Sequence, residues 1–290
     1  MDRLKGTGVA MVTPFTSNFD IDFEGLKKLT NHLVSNGVNY VVVMGTTGEN
    51  PTITEFEQTN ILETVKEVNE KRIPIVFGIG GNNTKAVVDR MRNFNYEGVD
   101  AILSASPYYN KPNQAGIVAH YTALAEASQA PIMLYNVPGR TGSMMSIDTI
   151  LTLAEHDNIF AIKEASGNME HCMELIRNKP EGFMVISGDD NYTLPYIAAG
   201  MSGVVSVIGN AYPKEFSQMV RYALDSNFEN ARYLHYRLLP MMQAIFDDGN
   251  PGGIKVVLRE LGICGDAMRA PLHGVLPAVD KKISNLVKNM

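Results

Sequence analysis

The chain has 290 residues, a formal net charge of −6 and a hydrophobic content of 45%, which suits a globular protein with a sizeable core. An acidic balance without a block of like charge argues against nucleic-acid binding, because that function needs a basic face. Residues 1–6 lack the apolar segment of a signal peptide, and no apolar run approaches membrane-spanning length. We therefore expect a cytoplasmic protein with neither nucleic acid nor a membrane as partner.

A short apolar run, a turn and an amphipathic helical segment recur along the chain. Such alternation predicts a parallel sheet with helical crossovers. Eight runs favour closure into a (β/α)8 TIM barrel, and an open doubly wound sheet is the alternative. The predicted strands are residues 8–12, 40–44, 75–77, 101–103, 132–134, 159–162, 184–186 and 203–205. Predicted helices between them include residues 23–35, 55–69, 84–96, 116–127 and 147–155.

After the eighth run the pattern changes to consecutive helices. These are predicted at residues 213–225, 228–246, 252–261 and near 278–288, and one of the first two should be the eighth barrel helix. We predict a catalytic barrel over residues 1–227 and a C-terminal helical extension over residues 228–290. No low-complexity linker separates the two parts, so the extension should pack on the barrel.

In a TIM barrel the active site lies at the carboxyl ends of the strands. After the second run, residues 45–50 (GTTGEN) place two hydroxyls between glycines, which suits a cradle for a carboxylate or phosphate. The alternative is an ordinary turn into a helix with Thr54 as its N-cap. Residues 78–84 (GIGGNNT) begin like a dinucleotide fingerprint but lack its third glycine, so Asn83 or Thr84 is expected to be an N-cap.

Residues 106–110 (SPYYN) and 135–142 (YNVPGRTG) follow the fourth and fifth runs. A tyrosine can act as an acid or base, and Arg140 on a Gly/Pro-shaped loop suits a bidentate clamp on a carboxylate. Rim packing and a surface salt bridge are the alternatives. The acidic pair Asp189 and Asp190 is expected to cap a helix rather than bind a metal. Six scattered histidines and two distant cysteines likewise suggest no metal site.

Residues 158–168 (NIFAIKEASGN) contain an apolar run that ends on Lys163. A lysine at the end of a strand buried on both faces has little water around its charge, and desolvation favours the neutral, nucleophilic amine. The alternatives are a side chain that reaches the rim or pairs with a carboxylate. A buried lysine with phenols, hydroxyls and an arginine suits imine chemistry, in which Lys163 condenses with a ketone and a phenol moves protons. No cofactor is expected.

The chain resembles the dihydrodipicolinate synthases (4-hydroxy-tetrahydrodipicolinate synthases), which belong to the pyruvate-dependent class I aldolase barrels together with the N-acetylneuraminate lyases. The resemblance is carried by residues 45–49, 106–110, 135–141 and 162–167. These motifs stand in the family's order on four strands, and the similarity covers essentially the whole chain.

The resemblance implies a catalytic set of four residues. Lys163 would form the Schiff base with pyruvate, and Tyr135 would be the central proton carrier. The hydroxyl of Thr46 would link Tyr135 to Tyr109 in a proton relay. In the family the second tyrosine reaches in from a neighbouring subunit, so the resemblance also implies a homo-oligomer, expected to be a homotetramer built as a dimer of dimers.

The resemblance also implies the substrate contacts. Thr47, together with Thr46, would hold the carboxylate of pyruvate, and Arg140 would hold that of L-aspartate 4-semialdehyde. Gly188 and Val205 would line the pocket through their backbone. The product would be (4S)-4-hydroxy-2,3,4,5-tetrahydrodipicolinate, on the path to lysine and diaminopimelate.

Arg140 and the Thr-Thr pair favour the synthase within the superfamily, because the sialic acid lyases generally lack this arginine and prefer Ser-Thr. Two other hypotheses stay open. One is a pyruvate aldolase or lyase acting on sialic acid or a 2-keto-3-deoxy acid, and the other is a non-catalytic barrel that senses a small acid.

Family members inhibited by lysine bind it at the dimer interface, and Asn82 and Tyr108 match positions of that site. Ala86 stands where sensitive enzymes usually carry Glu, and Glu55 and Gln58 stand where some carry His. Since a partner for the lysine ammonium is missing, we expect weak or absent inhibition by lysine.

Overall fold

The computed structural model of the chain describes residues 2–290. Its strands, named β1 to β8 in chain order, are Gly6–Ala10, Tyr40–Val43, Ile75–Gly78, Ala101–Ala105, Ile132–Asn136, Ile159–Glu164, Met184–Ser187 and Gly203–Ser206. Each strand pairs in parallel with the next along the chain, and β1 also pairs with β8, so the sheet is closed. The predicted (β/α)8 barrel is confirmed, and the open doubly wound sheet is wrong.

The helices, named α1 to α12, are Phe23–Ser35, Glu55–Asn69, Thr84–Asn93, Gln114–Ala127, Pro138–Thr141, Ile147–Ala154, Met169–Asn178, Thr193–Ala198, Pro213–Leu224, Phe228–Ala244, Gly252–Glu260 and Pro277–Lys288. Helix α9 packs against β1 and β8 and is therefore the eighth barrel helix. Helices α10 to α12 follow it, and the division at residues 227 and 228 stays a prediction. Within residues 2–290 no helix is both long enough and apolar enough to cross a membrane.

The first predicted strand, residues 8–12, is wrong at both ends. Strand β1 spans Gly6–Ala10, and its pairing with β8 begins at Gly6 and Gly203. Met11 and Val12 are buried although they follow the strand. The apolar run in the sequence therefore marked burial and not the limits of the strand.

Helix α3 ends at Asn93, three residues before the predicted end at residue 96. Phe94 adopts extended backbone angles, and its ring stacks on Phe77 with centroids 5.0 Å apart. Packing of this side chain against β3 thus accompanies the end of the helix. The ends of the other predicted helices differ from the observed ones by at most two residues.

Side chains that alternate along each strand form two separate cores. One set points into the barrel, where Tyr40, Met133, Tyr135, Ala161, Met184, Ile186 and Val205 belong to a single buried cluster. The other set, which includes Leu134 and Ile162, packs in the layer between the strands and the helices. Gly8 makes room for the Tyr40 ring, because a Cβ on this glycine would lie 2.2 Å from it.

Candidate active site

Lys163 and Tyr135 face each other inside the barrel. They are paired in the register of β5 and β6, and the Lys163 Nζ lies 4.3 Å from the centre of the Tyr135 ring. Lys163 is 5% exposed and Tyr135 is 7% exposed. Among residues 2–290 no carboxylate lies within 4.0 Å of the Lys163 amine. The lysine therefore neither reaches the rim nor forms an ion pair, in contrast to both structural alternatives.

A cavity of about 510 Å³ opens at the carboxyl ends of β2 to β5. Its walls include four of the predicted site residues, Thr46, Tyr108, Tyr135 and Arg140, whereas Lys163 lies behind Tyr135 and is not among the lining residues. Polar groups converge there in an otherwise largely apolar wall, as is typical of sites for small molecules.

The glycine-bracketed segment after β2 forms two consecutive 3-10 turns, Thr46–Gly48 and Asn50–Thr52. Thr46 is half-buried at the cavity, whereas Thr47 is buried behind it. Thr54 then caps α2 in a capping box with Glu57. The segment is thus both a cradle at the cavity and a turn into the helix, so the two interpretations of its sequence are compatible.

Asn250, in the turn between α10 and α11, reaches this cradle from the C-terminal extension. Its Nδ2 donates to the Thr47 Oγ1 at 3.0 Å, and its backbone carbonyl accepts from the Arg140 Nη2 at 3.4 Å. Sequence analysis missed this residue, because the Asn-Pro pair at residues 250–251 indicates only a turn. Arg140 lies within 4.0 Å of no carboxylate in residues 2–290, which contradicts the surface salt bridge.

A buried ion pair supports the same cradle from below. The Glu49 carboxylate pairs with the Lys255 ammonium of α11, and both side chains are fully buried. Burial lowers the pKa of Lys255, and the neighbouring Glu49 opposes that shift. Nothing in the sequence pattern connects these two residues, since more than 200 positions separate them.

Gly188 borders the lysine on the barrel wall, and Val205 lies in the barrel interior. A Cβ on Gly188 would lie 3.0 Å from the Lys163 Cε and 2.6 Å from the Ala165 Cβ, so only glycine leaves this space free. Val205 is fully buried in the same interior cluster as Tyr135.

Tyr109 is placed apart from the other predicted catalytic residues. Its side chain is 88% exposed, it does not line the cavity, and its φ of 71° puts it in the left-handed region. A tyrosine held in this conformation and turned to solvent does not complete a relay within its own chain. Asn82, from the predicted lysine site, donates through its Nδ2 to the Tyr108 carbonyl at 3.2 Å.

The other residues compared with the lysine site line a second cavity, of about 460 Å³, between α2 and α3. Gln58 there accepts a hydrogen bond from the Arg90 guanidinium, and the Arg90 Nε lies 3.9 Å from Glu55. Ala86 contributes no polar group. This cavity therefore presents a half-buried cation that sequence analysis did not consider.

The acidic pair after β7 does not cap the helix that follows it. Helix α8 starts after Tyr192 without a side-chain cap, whereas the Asp190 carboxylate accepts from the backbone N–H groups of Val207 at 3.0 Å and Ile208 at 2.8 Å. The predicted N-cap is therefore wrong, because the carboxylate satisfies donors of the turn after β8 instead. Residues 2–290 hold no group of three or more side chains arranged to bind a metal.

A sequence model of the dihydrodipicolinate synthetase family matches residues 3–290. The chain is 48% identical to the 4-hydroxy-tetrahydrodipicolinate synthase of Parabacteroides distasonis, over 99% of this chain and 97% of that protein. The crystal structure of dihydrodipicolinate synthase from Aquifex aeolicus has a TM-score of 0.95 at 37% identity, over 99% and 98% of the two chains. A monomeric dihydrodipicolinate synthase variant has a TM-score of 0.96 at 33% identity, over 99% and 96%. These similarities confirm the resemblance seen in the motifs.

Asp190 generates a prediction about stability and pH. Its burial raises the pKa of this carboxyl to about 6, well above the ordinary value for an aspartate. The folded chain then holds a proton that the unfolded chain releases, so this group's contribution to stability falls as the pH rises from about 4 to about 6 and is constant above. In Asp190→Asn the new amide oxygen can still accept from both N–H groups, and this pH dependence should disappear.

The measurement is urea unfolding of both proteins between pH 4 and pH 8. The unfolding free energy of the Asn variant minus that of the wild type should increase with rising pH and become constant above about pH 6. A difference that does not change with pH would contradict the assignment.

Proposed function

The chain belongs to the dihydrodipicolinate synthetase family, and we propose that it is a 4-hydroxy-tetrahydrodipicolinate synthase. It is a lyase that condenses pyruvate with L-aspartate 4-semialdehyde to (4S)-4-hydroxy-2,3,4,5-tetrahydrodipicolinate, for lysine and diaminopimelate biosynthesis. The observation that carries the proposal is the Lys163 amine, buried in the barrel 4.3 Å from the centre of the Tyr135 ring. No cofactor is required, and the cytoplasm is the proposed location.

The chemistry starts at Lys163. Its neutral amine adds to the ketone carbon of pyruvate and water leaves, giving a protonated imine that accepts electrons. Loss of a methyl proton gives an enamine, whose carbon attacks the aldehyde carbon of the semialdehyde. The amino group of that substrate then displaces the lysine and closes the ring. Tyr135, beside the amine, carries the protons, with Thr46 as the next hydroxyl in the relay.

The carboxylates of the two substrates need separate partners. We assign the pyruvate carboxylate to Thr46 and Thr47, and the carboxylate of the semialdehyde to Arg140. Arg140 is exposed at the cavity and lies within 4.0 Å of no carboxylate in residues 2–290, so its guanidinium is available to an acidic substrate. Gly188 and Val205 complete the wall around the lysine.

The exposed Tyr109 supports an oligomer as the working form. We propose that this tyrosine enters the site of a neighbouring copy and completes the proton relay there, and that the assembly is a homotetramer built as a dimer of dimers. Residues 228–290 are proposed to be an extension that packs on the catalytic barrel of residues 1–227, as the contact of Asn250 with Thr47 suggests.

The covalent step is tested by trapping with borohydride. Pyruvate and borohydride should add one stable adduct per chain at Lys163, and Lys163→Ala should abolish both the adduct and turnover. Mass spectrometry locates the adduct, and a coupled assay with L-aspartate 4-semialdehyde measures turnover. An adduct on another residue would contradict the mechanism, and stabilisation by pyruvate without turnover would favour the sensor hypothesis.

The choice between synthase and lyase is tested at Arg140. Replacing Arg140 by Ala should raise the KM for the semialdehyde roughly ten- to a hundredfold, the effect of losing a hydrogen bond to a charged group, and should leave the KM for pyruvate nearly unchanged. Arg140→Lys is the matched control, since it keeps the charge but loses the fork geometry. Turnover with N-acetylmannosamine, unaffected by the Ala variant, would favour the lyase.

Lysine should inhibit this enzyme weakly or not at all. Ala86 supplies no carboxylate for the ligand's ammonium, and Gln58 there already accepts a hydrogen bond from the Arg90 guanidinium. Steady-state assays over a range of lysine concentrations test this, with Ala86→Glu as the variant expected to gain sensitivity. Inhibition of the wild type at micromolar lysine would contradict it.

A further inference from the structure

Glu164 and Asn136 form a second pair on the strands that carry the candidate catalytic pair. In the register of β5 and β6, Tyr135 lies beside Lys163, and one residue further on Asn136 lies beside Glu164. Because successive side chains of a strand point to opposite faces, the first pair faces the barrel axis and the second faces the helices. Asn136 and Glu164 are both fully buried.

The outer pair is joined by a direct hydrogen bond and anchored at both ends. The Asn136 Nδ2 donates to the Glu164 Oε2 at 2.8 Å. The other oxygen of Glu164 accepts from the Ser166 N–H at 2.8 Å, and the Asn136 Oδ1 accepts from the Met145 N–H at 3.1 Å. One of the three hydrogen bonds joins β5 to β6 through side chains, and the other two tie each side chain to the loop that follows its own strand.

The backbone of the same residues reaches the pocket wall. The Glu164 carbonyl accepts from the Gly188 N–H at 2.7 Å, and Gly188 borders the Lys163 side chain. The Asn136 carbonyl accepts from the Ala165 N–H at 2.9 Å. A shift of Glu164 would therefore move the neighbours of the amine on two strands.

The surroundings of Glu164 make the burial of its carboxylate unfavourable for folding stability. The nearest cation candidate is His171, whose Nε2 lies 3.6 Å from the carboxylate and has no hydrogen-bond partner within residues 2–290. Burial raises the pKa of the neighbouring Cys172 thiol to about 12, and the Glu164 charge adds to this rise. Replacing buried charged groups by apolar side chains of similar volume commonly leaves the stability of a protein unchanged or raises it.

We propose that Glu164 and Asn136 are positioning residues for the reaction at Lys163. By fixing β5 against β6 from the outer face, they set the distance between the Tyr135 phenol and the Lys163 amine on the inner face. We call this hydrogen-bonded pair, Glu164 and Asn136, the clamp. A displacement of reacting groups by about 1 Å can lower a rate a hundredfold. Loss of the clamp should therefore slow proton transfer more than it weakens substrate binding. The inference builds on the site proposed above.

The test uses the donor and acceptor pattern of the clamp. In E164Q the new amide must keep its oxygen toward the Ser166 N–H, so its NH2 group faces the Asn136 NH2 group. In N136D two carboxylates face each other. In the double variant N136D/E164Q the glutamine donates to the aspartate, the loop N–H groups keep their acceptors, and one negative charge remains. All three hydrogen bonds are then possible again.

We expect each single variant to lose roughly ten- to a hundredfold in turnover per pyruvate-trapped site, with the KM for pyruvate little changed. The double variant should recover to within about threefold of the wild type. Borohydride trapping counts the competent sites, and circular dichroism with thermal melting reports the fold. Counting trapped sites separates positioning from a simple loss of folded protein.

Asn158→Ala is the matched control. Asn158 precedes β6 at its other end, and its Nδ2 donates to the Ala125 and Ser128 carbonyls at 2.9 Å each. This variant should lower the melting temperature without changing turnover per trapped site.

Wild-type turnover per trapped site in both folded single variants would overturn the inference and leave the proposed function intact. Failure of a folded double variant to recover would also overturn it. Absence of a pyruvate adduct in the wild type would instead remove the proposed function, and this inference with it.

Discussion

Alternation of side chains in a closed sheet is the constraint on which this molecule depends. Each strand has one face toward the barrel axis and one toward the helices. Alternate residues of a strand therefore enter different environments. Tyr135 and Lys163 lie on the inner face of the sheet, and Asn136 and Glu164 lie on the outer face. Bulky groups such as Tyr40 and Met133 fill the inner face. The polar groups of the site are thereby confined to the carboxyl ends of the strands.

Residues that follow α10 support the candidate site. Asn250 contacts Thr47 and Arg140, and Lys255 provides the charge that balances Glu49 beneath the cradle. Removing one partner of such a buried pair would leave an uncompensated charge, at a cost of about 3–5 kcal/mol.

A second ion pair joins the extension to the barrel nearer the surface. The Arg269 guanidinium hydrogen-bonds to Glu57 of the α2 capping box and lowers the pKa of that carboxyl to about 2. Arg269 and Glu57 thus link the C-terminal part of the chain to α2.

Local patterns were sufficient for most of the fold and for part of the site. Periodicity predicted the strands and helices, and the apolar residues on both faces of β6 pointed to Lys163 as a candidate. Contacts between distant segments could not be predicted from local patterns. Glu49 and Lys255, for example, are far apart in the sequence and meet only in the folded chain. Asp190 was misjudged for the same reason, since its carboxylate serves the turn after β8 rather than its own helix. The role proposed for Tyr109 depends on a second chain.

The contacts of the extension also have a consequence for how the protein is made. A ribosome releases the barrel strands first, and domains can begin to fold during synthesis. The Lys255 and Asn250 side chains emerge only after the last strand, β8, and its helix α9. Until then the cradle after β2 lacks the charge and the amide that hold it. All eight strands of a nascent chain are thus made before the side chains that hold the cradle, and a product truncated before α11 would leave Glu49 without its Lys255 partner.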